Sequence, residues 1–218
     1  MNADFNRSLF LITKNTPPLN TAEISSRVND LLLAGDGAIS HIIIREQHED
    51  AQAPDDEIIE LAKTLNPLAK KHNAKLLINR RPDIALAVDA DGVHLGKNSI
   101  SIKSARELLG PSTIIGFSAH SIEEALEAES NGADYVALSP IYSPLSKETK
   151  RASVGLETIS NLRTLINIPI VALGGIEPGN TQSTIQAGAS AVAGIGSLYL
   201  SNEPVKTVKE FVKALKSP

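Results

Sequence analysis

The sequence contains no cysteine. That excludes disulfide frameworks, thiolate metal sites and thiol nucleophiles, and leaves any chemistry to His, Lys, Arg, carboxylates or backbone amides. Aromatic residues supply only 3% of the chain, too few for a base-stacking platform. Excess positive charge is missing as well. With 21 Lys and Arg against 25 Asp and Glu, the formal charge is -4, and the basic face of a general nucleic-acid binder is not available. No apolar run is long enough to cross a bilayer, and Met1 to Ser8 lacks the charged-then-apolar order of a signal peptide. The expectation is a cytoplasmic protein whose partners are small molecules or other protein chains, with neither nucleic acid nor membrane among them.

What is present is apolar material in quantity: 42% of 218 residues, enough for one full core. The 14 glycines and 12 prolines are scattered as punctuation, so they read as turns and helix stops, and one domain over 1–218 is expected. Short β-branched or Leu-rich runs alternate with segments of helical period from end to end. The strand candidates are Leu9 to Thr13, His41 to Arg45, Lys75 to Ile78, Gly92 to Leu95, Ile114 to Phe117, Tyr135 to Leu138, Pro169 to Leu173 and Ala191 to Ile195.

Helix candidates lie between them. Thr21 caps one running to Ala34 and stopped by Gly35, and Asp55 to His72 forms another that Pro67 should kink. Pro82 to Ala87 is a short turn or two, and Ser121 with Glu124 makes a capping box for a helix ending near Asn131-Gly132. Thr181 opens one closed by Gly188, and Pro204 to Ser217 makes the last. Eight strand–helix units in this length close a (β/α)8 barrel more naturally than they lie open as a doubly wound sheet.

In such barrels the site is built from loops after the strands, with phosphate commonly bound after strands seven and eight. Strand seven runs into Gly174-Gly175-Ile176 and strand eight into Gly194-Ile195-Gly196-Ser197. Both turns offer backbone amides to an anion with no Cβ in the way. Other strand ends carry Arg45-Glu46, Asn79-Arg80-Arg81, His94 with Lys97, Ser118-Ala119-His120 and a loop holding Ser146-Lys147. A rim rich in Arg, Lys, Asn and His suits an anionic substrate, and His120 can exchange a proton near neutral pH. Each has a structural alternative. His120 can serve the helix start that follows it, His94 can be a satisfied interior ring, Arg45 can pair with a carboxylate, and Lys147 lies in a charge run typical of a solvated loop. His72 reads as a helix-end charge and His48 as loop surface.

Several of these runs together resemble the thiamine phosphate synthase and TenI family: Ile44-Arg45-Glu46, Ile78-Asn79 with Arg81, Ala90 to Gly96, Gly116 to Ser121, Gly132 to Val136, and Ala172 to Ile176. The resemblance covers nearly the whole chain and implies the same barrel, a phosphorylated heterocycle as ligand, and a homodimer or larger assembly. It also implies two branches, a synthase joining a pyrimidine pyrophosphate to a thiazole phosphate and a TenI-like thiazole tautomerase. Synthases of the family hold Mg²⁺ with two aspartates, at positions that read Arg80 and Ser99 here. Pro144-Leu145-Ser146-Lys147 and Gln47 also depart from the synthase pattern.

The leading expectation is therefore the metal-free tautomerase, an isomerase with no cofactor. His120 would be its acid or base, Arg45 with Lys97 or Arg80 would hold a carboxylate, and the amides of Gly174-Gly175 and Gly196-Ser197 would hold the phosphate. Asn79, His94, Ser118 and Lys147 complete the expected substrate contacts. The alternatives are a divergent synthase, with Mg²⁺ or with Arg80 in place of the metal's charge, and a non-catalytic barrel that binds a thiamine-related phosphate.

Overall fold

A computed structural model describes residues 5–45, 53–143 and 152–217. Eight parallel strands close on themselves in sequence order, β1 pairing with both β2 and β8. They are β1 (Ser8–Ile12), β2 (Ile39–Ile44), β3 (Lys75–Asn79), β4 (Gly92–Leu95), β5 (Ile114–Ala119), β6 (Tyr135–Leu138), β7 (Ile170–Ala172) and β8 (Ala191–Gly194). Closure of the ring excludes the doubly wound alternative. Each strand is followed by a helix: α1 (Thr21–Gly35), α2 (Asp55–Lys71), α3 (Pro82–Ala87), α4 (Ile102–Leu109), α5 (Ile122–Ser130), α6 (Gly155–Arg163), α7 (Pro178–Gln186) and α8 (Pro204–Lys216).

Two of these, α4 and α6, were not among the sequence's helix candidates. Two caps also differ. Asn20, not Thr21, caps α1, its side chain accepting from the Glu23 amide at 3.2 Å. The seventh helix opens at Pro178, ahead of Thr181, because proline needs no amide partner in the first turn. Pro67 lies within α2, which continues past it to Lys71. Ser121 caps α5 as expected, but the Glu124 carboxylate reaches one residue further back, to the His120 amide at 2.8 Å.

Strand residues alternate between two cores. Outward side chains meet the helices in one large cluster, while Phe10, Ile12, Ile43, Leu77, Tyr135 and Val171 fill the barrel. At the N-terminal end of the strands Phe10 stacks on His41, ring centroids 4.1 Å apart and planes 10° off parallel, and Phe5 and Tyr135 close over them. His41 is fully buried; Ser40 Oγ lies 2.8 Å from its Nδ1, and its Nε2 has no hydrogen-bond partner. Burial therefore lowers its pKa to about 3, since a charged ring there would leave an N–H unsolvated.

The acidic residues of two sequence motifs do structural work. Asp91 Oδ2 accepts from the Leu76 amide at 2.9 Å, and Asp134 Oδ2 accepts from the Ile115 amide at 2.7 Å and pairs with Arg106. Each satisfies a strand-edge N–H on a neighbouring strand, which would otherwise be an orphan donor. Among the described residues no helix is long and apolar enough to cross a membrane.

Candidate active site

At the C-terminal ends of the strands the barrel opens into a cavity of about 360 Å³, within the usual range for small-molecule sites. Its floor is apolar, from Ile12, Ile43, Leu173 and Ala193. Polar groups ring the wall. Arg45 follows β2, Asn79 ends β3, His94 comes from β4, and Ser118 and His120 from β5 and the turn beyond it. Their alignment follows from the parallel register, which sets Asn79 beside His94 and His94 beside Gly116 on adjacent strands.

Both glycine turns line the opposite wall. Gly174 and Gly175 hold φ of 92° and 65°, and a Cβ on either would lie 2.7 Å from Pro140 Cα or Tyr142 Cβ respectively. Only glycine fits there. Asn180 secures the turn, donating from Nδ2 to the Gly175 carbonyl at 2.9 Å. On the β8 side the constraint falls on Gly194, where a Cβ would lie 2.9 Å from Leu198 Cβ, whereas a Cβ on Gly196 would meet nothing within 4 Å. The two turns, with the Ser197 side chain, form a donor-rich corner fit for a phosphate.

His94 is 6% exposed and makes two hydrogen bonds, at 2.8 Å each, with Tyr135 Oη and Ser118 Oγ. It is thus both the satisfied interior ring and part of the cavity wall. Burial, then the positive charge of Arg45, lowers its pKa to about 4, so it is neutral at physiological pH. His120 Nδ1 lies 2.7 Å from the Ser139 carbonyl. A carbonyl only accepts, so Nδ1 donates, and when the ring carries a single hydrogen its Nε2 is the acceptor.

The remaining expected contacts lie apart from these. Lys97 is exposed and does not line the cavity. Arg80, in the left-handed region with φ 62°, donates from Nη2 to the Asn98 carbonyl at 2.9 Å and stands on the rim outside the walls. Lys147, with Glu46, Gln47, His48 and the Pro144–Ser146 stretch, lies outside the described residues. Pro140, cavity-lining after β6, and Tyr135 beneath it carried no signal as site residues; only the neighbouring glycines and histidine reveal them.

The family model for thiamine monophosphate synthase matches residues 9–198. The chain belongs to that family. Its relatives include the thiamine-phosphate synthase of Chlorobium limicola, 40% identical over 83% of this chain and 84% of that one. That of Syntrophomonas wolfei is 39% identical over 91% and 90%. Among solved structures, a thiamine phosphate pyrophosphorylase from Pyrococcus furiosus superimposes with a TM-score of 0.82 at 33% identity, covering 97% of both chains.

These findings overturn the tautomerase expectation and with it the isomerase class. The relatives that match at this level are named as synthases, and the proton shuttle assigned to His120 loses the reaction that motivated it. The expectation leans on a few substituted positions, the two aspartate sites above all, whereas the match extends over nine-tenths of the chain in the second relative.

Family synthases nevertheless imply magnesium, which binds through carboxylate oxygens. None of the described residues lining the cavity is Asp or Glu, and no group of three or more His, Asp or Glu suited to a metal occurs among them. Ser99 Oγ accepts from the Gly96 amide at 3.0 Å, closing its own turn, and Arg80 carries the wrong sign. The described residues do not fit a magnesium ion.

Proposed function

We propose that this chain acts as a thiamine-phosphate synthase, joining a pyrimidine pyrophosphate to a thiazole phosphate with release of pyrophosphate. The observation that carries the reading is its 40% identity to a thiamine-phosphate synthase across more than four-fifths of both chains. The cavity supports it chemically. Both substrates are anions, and the walls present Arg45, Asn79, Ser118 and the two glycine turns as donors with no opposing carboxylate among the described residues. The phosphate of the thiazole takes the Gly174-Gly175 and Gly196-Ser197 corner. The leaving pyrophosphate takes the Arg45 and Ser118 side, where preorganised donors stabilise the charge that develops as its bond to carbon breaks. His120 offers its Nε2 lone pair to a donor on a substrate ring.

No metal enters this reading. Arg80 and Lys97, outside the cavity walls, lend positive charge to the incoming anions. A homodimer or larger assembly in the cytoplasm belongs to the same reading, and the exposed Leu86, Ile100 and Leu108 supply apolar surface for it. The absence of carboxylates among the described wall residues favours one second reading, a barrel that binds a thiamine-related phosphate without turnover.

The test is coupling of the two substrates by purified protein, with Mg²⁺ and with a chelator in its place. Thiamine phosphate is expected in both. Formation only with Mg²⁺ would place metal ligands outside the described residues. Binding of the thiazole phosphate with no coupling in either condition refutes the synthase and leaves the second reading.

A further inference from the structure

Three side chains run in a row from the barrel interior to the cavity. Tyr135 Oη lies 2.8 Å from His94 Nδ1, and His94 Nε2 lies 2.8 Å from Ser118 Oγ. Tyr135 is 0% exposed and His94 6%, while Ser118 stands in the cavity wall. Burial keeps the Tyr135 hydroxyl protonated, its pKa raised well above the ordinary value, and keeps the His94 ring neutral. The three groups therefore hold three hydrogens, and distances alone do not say which way they point.

The Tyr135 hydroxyl decides it. Its hydrogen-bond partner is His94 Nδ1, and the other side of its ring is packed so closely on Gly116 that a Cβ there would lie 2.3 Å from Oη. A buried O–H with no acceptor carries the full desolvation cost of the group. The tyrosine hydrogen thus goes to Nδ1, which makes Nδ1 the acceptor and puts the single imidazole hydrogen on Nε2. Nε2–H then donates to Ser118 Oγ, and the serine's own hydrogen is turned away from His94, into the cavity. With the row reversed, Ser118 would present only lone pairs to the cavity and Tyr135 would bury an unanswered hydrogen.

We propose that Tyr135 is a positioning residue that, through His94, fixes Ser118 as a hydrogen-bond donor aimed at an oxygen of the diphosphate anion. The direction of the row stands on geometry alone; the diphosphate as its target rests on the synthase reading. A lone pair at the same place would oppose the negative charge that grows on the leaving oxygen, whereas a fixed donor offsets it without reorganising. Tyr135 itself touches no substrate.

Nitrogen-15 NMR of the full-length, histidine-labelled protein tests the direction. The expected spectrum shows His94 neutral and protonated on Nε2 throughout about pH 5 to 8, the range where an ordinary histidine changes charge. Protonation on Nδ1 overturns the proposal whatever the protein binds. The consequence for Ser118 is read by a double-mutant cycle in the affinity for inorganic pyrophosphate. Ser118→Ala is expected to weaken binding about tenfold, as for a hydrogen bond to a charged group. Tyr135→Phe should weaken it by a comparable factor, and the double variant no further than Ser118→Ala alone.

Losses that multiply would show that Tyr135 supports packing only, and would overturn the positioning role. Should Tyr135→Phe not fold, the wild-type spectrum and Ser118→Ala still decide. A wild-type protein that binds no pyrophosphate while His94 is protonated on Nε2 would remove the diphosphate target, and with it the synthase reading, but not the tautomer.

Discussion

Acid should unfold this protein through its two buried histidines, in a pH range mostly above that of its carboxylates. In the folded chain His41 has its pKa lowered to about 3 and His94 to about 4, each from an ordinary 6.5. Both groups are neutral in the fold and charge readily once exposed, so below pH 6.5 the unfolded state binds more protons and stability falls as pH falls. The loss begins near the unfolded value and ends for each ring near its folded one. One pKa unit corresponds to about 1.4 kcal/mol, so between pH 6.5 and 4 each ring removes roughly 3 kcal/mol. Together they remove about 6 kcal/mol, a large part of the about 5–15 kcal/mol typical of a folded domain.

Carboxylates overlap only the bottom of this window, since Glu123, lowered from an ordinary 4.5 by the Ser121 hydroxyl, begins to lose its contribution at about pH 5. Arg81 lowers the pKa of Asp55 and Asp83 from an ordinary 3.8, so their contribution is lost only at lower pH still. Urea unfolding followed at a series of pH values measures the slope, expected near 2.8 kcal/mol per pH unit, about twice the single-proton value. His41→Phe keeps a ring against Phe10 and should halve that slope. Stability that is level from pH 7 to 4.5, or a His41→Phe variant with the parent slope, would refute the reasoning.

Two substitutions test the packing around the site. Gly116→Ala would set a Cβ 2.0 Å from Tyr135 Cζ; overpacking and the disturbed bond to His94 together should cost about 2–5 kcal/mol. Thermal unfolding reads this as a fall of about 2–4 °C per kcal/mol at this chain length, and a Tm unchanged within error would show that the tyrosine has room to move. Gly174→Ala sets a Cβ 2.7 Å from Pro140 Cα at φ 92°, and so should weaken inorganic phosphate binding more than tenfold by calorimetry. An unchanged Kd would place the phosphate elsewhere than the Gly174-Gly175 turn.

Much of the architecture was legible in the chain. The strand alternation was readable because a parallel strand buried on both faces leaves a short apolar run with no polar interruption, as in Tyr135–Leu138. The turns after β7 and β8 were readable because tight anion turns need glycine. Helices α4 and α6 were missed, since Ser101 is a weak signal on its own and Gly155 opens a helix where glycine more often ends one. At the site, Arg45, Asn79, His94, Ser118 and His120 come together as their strand ends suggested, whereas Arg80 and Lys97 stand outside the walls. The tautomerase expectation failed because it weighed a few replaced site residues, chiefly the two carboxylates, above the resemblance of the whole chain.

The sequence by itself determined the period of its elements, the glycine turns and the family, because these depend on local patterns and on similarity spread along the chain. Only the tertiary structure decided how the ring closes, that Asp91 and Asp134 serve strand edges, and that Tyr135 lies against His94. Those facts depend on the register between strands and on which side chains share the barrel interior. A partner 41 residues away, as Tyr135 is from His94, is set by closure of the barrel and leaves no mark in the local pattern.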